Sequence, residues 1–329
     1  MTKNLIMYTK YVLYYIYINL KFISFLTTRL LTAIPTILGV ALLVFLFLHL
    51  VPGDPVELML GDMVPAADRE ELRRVLGLDL PISVQMANYF GGLLYFDFGT
   101  SFFTRRPVLD SLLERLPATL ELAVSGLSLA LLLAVPLGIF AAKYRDRALD
   151  TSAMGFSLIG ASIPSFWLGP MLIMFFSLWL GWTPVSGHDG AISLILPTLT
   201  LGTALAAILA RMIRSSLLEI LSEDFIRTAR AKGLSENQVL LRHGLRNALL
   251  PVLTLLGLQL GSLLGGAVIT ETIFDWPGVG SLLVESIQKR DIPMVQGCVL
   301  LISLIYVAVN TFTDLVYATV DPRIRLAKN

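Results

Sequence analysis

Six apolar runs, at about residues 30–51, 118–142, 152–181, 194–212, 250–270 and 295–320, divide this chain, and each is bounded by charge, proline or a polar segment. About 20 apolar residues suffice to cross the hydrocarbon core of a bilayer as a helix. Inside that core a helix satisfies its own backbone N–H and C=O groups. The remaining composition agrees: 55% of the 329 residues are hydrophobic and only 15% charged, against about 25% charged in soluble globular chains. The expectation is an all-α, polytopic membrane protein with lipid as its solvent. A net charge of +1 gives no sign of a nucleic-acid partner. The single cysteine, Cys298, excludes a disulfide framework or a thiolate metal site. His49, His188 and His243 fall in three separate regions, so no local metal site is expected.

Charge sets the expected orientation. With both termini placed in the cytoplasm, 17 Lys and Arg lie inside and 8 outside, the bias that inner-side loops carry. Residues 1–28 hold Lys3, Lys10 and Lys21 among Tyr8, Tyr11, Tyr14, Tyr15 and Tyr17. They read as an interfacial extension on the cytoplasmic surface, or as an upstream start with little structural role. The unit proper is expected over 29–329. Span 1 ends at Pro52-Gly53-Asp54-Pro55, a hard turn. The long polar segment 52–117 holds ten acids and six bases and is assigned outside. Within it, Asp68 and Glu71 suit a helix start and Gly77 a stop. Gly155 and Gly160 in the third span, and Gly257, Gly261, Gly265 and Gly266 in the fifth, suit close helix packing. Pro164 is a candidate kink. Residues 271–294 return outside with a Trp276-Pro277-Gly278 turn and a short amphipathic helix.

Chemistry is sparse. Glu121, Glu271 and Asp314 are the acids nearest the spans, all within reach of an interface, and structural pairing or snorkelling outweighs a proton relay. There is no phosphate loop, nucleophile elbow or HExxH, so no catalytic residue is expected and the chain itself binds neither ATP nor a metal.

The stretch 222–251, SEDFIRTARAKGLSENQVLLRHGLRNALLP, lies between the fourth and fifth apolar runs. Ser222 is a candidate cap for a helix that starts with Glu223 and Asp224 and ends with Arg230 and Lys232, a charge order that suits the helix dipole. Gly233 suits the left-handed turn that ends a helix. Ser235 to Gln238 reads as a capping box opening a second helix. Phe225, Ile226 and Ala229 fall on one face of the first helix, and Ala229, Ala231 and Gly233 leave room for close approach by another protein. A basic loop would do for topology alone. Two capped helices point further, to a docking element that passes force from a soluble partner.

This stretch resembles the cytoplasmic loop of permease subunits of bacterial ATP-binding-cassette importers, in the dipeptide, oligopeptide and nickel branch. The resemblance covers about residues 25–325. It includes Pro52-Gly53-Asp54-Pro55, Leu76-Gly77-Leu78-Asp79, Pro117 to Leu122, Glu271 to Gly280, and Asp321-Pro322-Arg323-Ile324-Arg325. The family motif Glu-Ala-Ala, three residues, Gly aligns on Gly233 and places Arg227, Thr228 and Ala229 at its start, so the Glu is missing. The resemblance implies a type I ABC importer permease fold with a large extracytoplasmic segment between the first two spans, in a bacterial inner membrane. It implies a heterodimer with a second, similar permease, two ATPase subunits that bind ATP and Mg, and an extracytoplasmic substrate-binding protein. Phe225, Arg227, Thr228, Ala229, Arg230, Ala231, Lys232 and Gly233 would contact the ATPase. Asp54, Asp275, Trp276, Pro277 and Gly278 would face the binding protein. Peptides are the expected substrate, with nickel or metal chelates or glutathione as same-branch alternatives. A different class, the ion-coupled secondary carrier, would need acids near mid-bilayer. A membrane-embedded assembly factor would leave the capped loop without a role.

Overall fold

A computed structural model describes residues 27–29, 31–46, 56, 65–75 and 77–320. The expectations for residues 1–26, the 52–55 turn with Asp54, Leu76 and the 321–325 segment lie outside the described residues, as does the side chain of Asp314.

Among the described residues the chain is helical: α1 (Thr27–Leu46), α2 (Ala66–Val75), α3 (Ile82–Leu94), α4 (Val108–Lys143), α5 (Ala148–Ser162), α6 (Ser165–Leu172), α7 (Ile195–Leu221), α8 (Asp224–Ala231), α9 (Arg246–Phe274), α10 (Val279–Gln288) and α11 (Ile292–Val320). A π-helical segment, Ile173–Trp179, continues α6. A one-turn helix, Glu236–Gln238, and a second π-helical segment, Val239–Leu245, lead into α9. Five helical stretches are long and apolar enough to span a membrane, and α5 with the α6 unit makes up to six. The α2 helix begins at Ala66, just before the expected Asp68, and Gly77 follows it in the left-handed region at φ +65°.

The core is the pair α4 and α7. On α4 every fourth residue from 118 to 142 is buried: Ala118, Leu122, Gly126, Ala130, Ala134, Gly138 and Ala142. That spacing makes one ridge along a helix, of small side chains from Gly126 to Ala142, and in lipid small residues let backbones approach closely. A Cβ on Gly138 would lie 2.7 Å from Ile213 of α7, and one on Gly202 of α7 would lie 2.8 Å from the Gly126 carbonyl. Ile213 and Leu217 seal the seam.

The close packing expected of the third-span glycines is corrected, while two of those in the fifth span stand. In the third apolar run Gly155 has open space beside it, and Gly160 makes only ordinary contact with Ala207. In α9, Gly257 meets Thr313 and Gly261 meets Tyr306 of α11, whereas Gly265 faces open space. The third apolar run is also not one rod. α5 and the α6 unit meet at 99°. The residue before a proline is driven out of the α region, and Ile163, at φ −84° and ψ 118°, is extended. Pro164 is therefore a break between two helices rather than a kink within one.

The turns 144–147 and 222–245 share one end of the bundle, which is rich in Lys and Arg and is called the basic end below. The loops 95–107, 180–193 and 275–291 occupy the far end.

Candidate functional site

At the basic end α8 is an amphipathic helix of eight residues. Ile226 and Ala229 are buried on Val239, with Ile220, Leu221 and Leu234 around them. Phe225, at 43% exposure, stands out into solvent instead. Arg227, Thr228, Arg230, Ala231, Lys232 and Gly233 are also exposed. Successive helix residues are rotated by about 100°, so Phe225 and Ile226 diverge although adjacent. The expectation that Phe225 and Ala229 share one contact face is corrected: Ala229 anchors α8 to its own subunit and leaves no surface for a partner.

The local signals act largely as read. Gly233, at φ +80°, ends the helix, and its N–H and that of Leu234 donate to the Arg230 and Ala229 carbonyls at 2.9 and 3.4 Å. Ser235 and Gln238 form the capping box, with the Ser235 N–H 3.1 Å from Gln238 Oε1. Ser222 does not cap α8. It ends α7, its hydroxyl donating to the Glu219 carbonyl at 2.7 Å, and Glu223 holds the N-cap position. Arg230 forks onto Glu236 at 2.8 and 3.2 Å, tying α8 to the following turn. Arg227 pairs with Asp224 at 3.3 Å.

One pair at this end had no signal in the sequence. Arg214 of α7 donates both Nε and an Nη to Asp150 at the start of α5, each at 2.6 Å. Asp150 is buried and also accepts the Asp146 N–H at 3.0 Å. A bidentate fork of this kind fixes both direction and distance, so the 144–147 turn is held rigidly against α7.

The far end is organised around a buried carboxylate. Glu271 is fully buried. Thr119 Oγ1 donates to it at 2.7 Å and the Ser281 N–H at 2.9 Å. Thr119 Oγ1 in turn accepts the Val279 N–H at 2.8 Å. Trp276, 1% exposed, donates from Nε1 to the Ala118 carbonyl at 2.9 Å. A Cβ on Gly278 would collide with the Glu271 carboxylate, and one on Gly280 would lie 2.6 Å from Val268 Cα. The Glu271-to-Gly280 stretch is thus a lock between α4, α9 and α10. It corrects the expectation for Trp276 and Gly278, which are interior and present nothing to a docked protein. Asp275 and Pro277 reach the surface. Glu271 makes structural pairings and does not snorkel. Glu121 pairs with His188 at 2.8 Å at the surface. Among the described residues no three metal-ligating side chains converge.

A multi-span bundle bearing a short, anchored, solvent-facing helix on one end matches a known architecture. Residues 134–326 match the family described as binding-protein-dependent transport system inner membrane component, and residues 22–123 match its N-terminal component. The chain belongs to this family. It is 47% identical over 303 residues to the glutathione transport system permease protein GsiC of Salmonella typhimurium, covering 92% of this chain and 99% of the relative. It is 46% identical over the same length and shares to GsiC of Escherichia coli strain K12. Inward-facing structures of the MetNI methionine ABC transporter share the fold. One has a TM-score of 0.54 at 23% identity, covering 64% of this chain and 96% of that one; another has a TM-score of 0.53 at 20% identity, covering 65% and 97%. The permease is an ABC importer subunit of the peptide and nickel branch, a multi-pass protein of the inner membrane. Permeases of this family are non-catalytic and work with ATPase and substrate-binding partners.

Proposed function

We propose that this permease forms one half of the path by which small peptides enter the cell, with glutathione, itself a tripeptide, the first substrate to test. The relatives named for glutathione transport support that class. The basic end faces the cytoplasm, the chain crosses the membrane six times with both termini inside, and a second, similar permease completes the path. Two ATPase subunits, carrying ATP and Mg, close on the exposed side of α8. A binding protein delivers substrate to the far end, where Asp275 and Pro277 are available.

The observation that carries the coupling role is the division of α8 into two faces. Ile226 and Ala229 fix it to the bundle, while Phe225, Arg227, Thr228, Ala231 and Lys232 are left on the surface. Exposed aromatic and arginine side chains are the residue types that dominate interface energies. A ligand-driven change of state needs an element that both sites bias, and α8 leads through the 236–245 turns directly into span α9.

Charge reversal at Arg227 and Arg230 together is expected to abolish ATP-driven uptake while the subunit stays inserted and stable; normal uptake by that variant would refute the docking role. For the substrate, the binding protein that partners this permease should melt at higher temperature with glutathione or a dipeptide than with a nickel chelate. Stabilisation by the chelate alone would move the permease to the metal side of its branch.

A further inference from the structure

Between the 143–147 turn and α8 lies a cleft of about 480 Å³. Its floor is apolar, made by Ala142, Leu218, Leu221 and Leu240 where the helices leave the bundle. Its rim carries Lys143, Arg145, Arg147 and Arg230 against a single lining carboxylate, Glu236. Two of these cations are already neutralised, since Arg230 forks onto Glu236 and Arg145 pairs with Asp146 at 3.2 Å. Lys143 and Arg147 meet no carboxylate among the described residues. Among the described residues Lys143 donates only to the neutral Asn237 Oδ1, at 3.0 Å. Lys143 Nζ and Arg147 Cζ lie 5.6 and 6.0 Å from the Tyr144 ring centre. One aromatic ring offers weak attraction to a cation at such range and cannot offset two like charges brought to the same rim. The backbone beneath them is fixed, because Asp150 holds the Asp146 N–H on one side and Arg214 on the other.

We propose that this cleft is a phosphate-anion site, filled by the headgroup of an anionic phospholipid or by free phosphate. Cations that no carboxylate pairs among the described residues, carried on a fixed backbone above an apolar floor, suit a lipid phosphate at the membrane surface. The Arg230–Glu236 fork is one wall of the cleft, so an occupied site would stiffen the joint between α7 and α8. That consequence rests on the coupling role of α8; anion binding itself does not.

The test uses the full-length chain in neutral detergent, titrated separately with short-chain phosphatidylglycerol, short-chain phosphatidylcholine and inorganic phosphate. Melting temperature and lipid retained in native mass spectrometry are the readouts. Phosphatidylglycerol should stabilise the protein and be retained, and phosphatidylcholine should do neither. Lys143→Gln with Arg147→Gln should weaken phosphatidylglycerol binding about thirty-fold, as expected for two cations at an anionic surface. Lys143→Arg with Arg147→Lys should retain binding, and Arg242→Gln with Arg246→Gln should leave it unchanged, which separates loss of the site from loss of the fold. Equal protection by inorganic phosphate would identify the occupant as a free anion in the same site. Binding of both anions unaltered by the Gln pair would overturn the proposal. So would a Gln pair that loses an ATPase subunit while keeping its anion affinity.

Discussion

The lock at the far end and the outer face of α8 treat polar groups in opposite ways. At the far end Glu271, Thr119, Trp276 and Ser281 satisfy one another in the interior, and glycine fills the positions where a side chain would strike the carboxylate. At the basic end Phe225, Thr228 and Lys232 stand on the surface of α8, and Lys143 and Arg147 share a rim with no carboxylate of their own. A network closed on itself rigidifies a fold, whereas an open one is a surface awaiting a partner. Substitutions at the far end should therefore act on folding, and those on α8 should act on assembly.

The largest effect is expected at the lock. Glu271→Ala leaves the Thr119 hydroxyl and the Ser281 N–H buried without an acceptor, each costing about 1–3 kcal/mol. The expected outcome is a sharp fall in folded yield and melting temperature of the detergent-solubilised chain, with Glu271→Gln milder because one oxygen remains. Next comes Asp150→Ala, which strands a mostly buried Arg214; about 2–4 kcal/mol is expected, close to the loss seen when one partner of a buried pair is removed. Asp150→Asn with Arg214→Met should recover part of that loss in the same melting assay. Phe225→Ala reverses the pattern. ATPase affinity, read by pull-down titration, should drop about ten-fold or more, as for an aromatic anchor, while the melting temperature of the isolated chain stays put. If Phe225→Ala melts the chain as Glu271→Ala does, the contrast between the ends collapses. The smallest effect is Arg106→Gln. Its pair with Glu114, at 3.2 Å, is exposed on both sides, and such pairs contribute about 1 kcal/mol or less, so a melting shift near the noise is expected.

How much of this was legible in the sequence depended on range. The stop at Gly233 and the capping box at Ser235 are decided within four residues, and both stand in the structure. The apolar runs announced the helices because lipid imposes length and composition directly. The face of α8 was only half readable, since Phe225 and Ile226 are neighbours in sequence and nothing local says which one the bundle takes. Burial of Trp276 was missed because an aromatic beside Pro and Gly reads as a surface turn until the Ala118 carbonyl, 158 residues away, comes to meet it. The Asp150–Arg214 fork spans 64 residues and has no pattern to find. The stripe from Ala118 to Ala142 was present at fixed spacing. It was overlooked because alanine draws less notice than glycine; of the glycines in the neighbouring runs, Gly155 and Gly160 are loosely packed while Gly257 and Gly261 are tight.

One consequence follows from the backbone at Gly233. With φ at +80°, the chain turns left where α8 would otherwise add residues, so α8 has a set length of about 12 Å, at 1.5 Å for each of its eight residues. Under the proposed coupling role, a push on its outer side cannot be absorbed by winding on another turn, and travels through the buried Ile226 and Ala229, Leu234 and the Arg230–Glu236 link into the next helix.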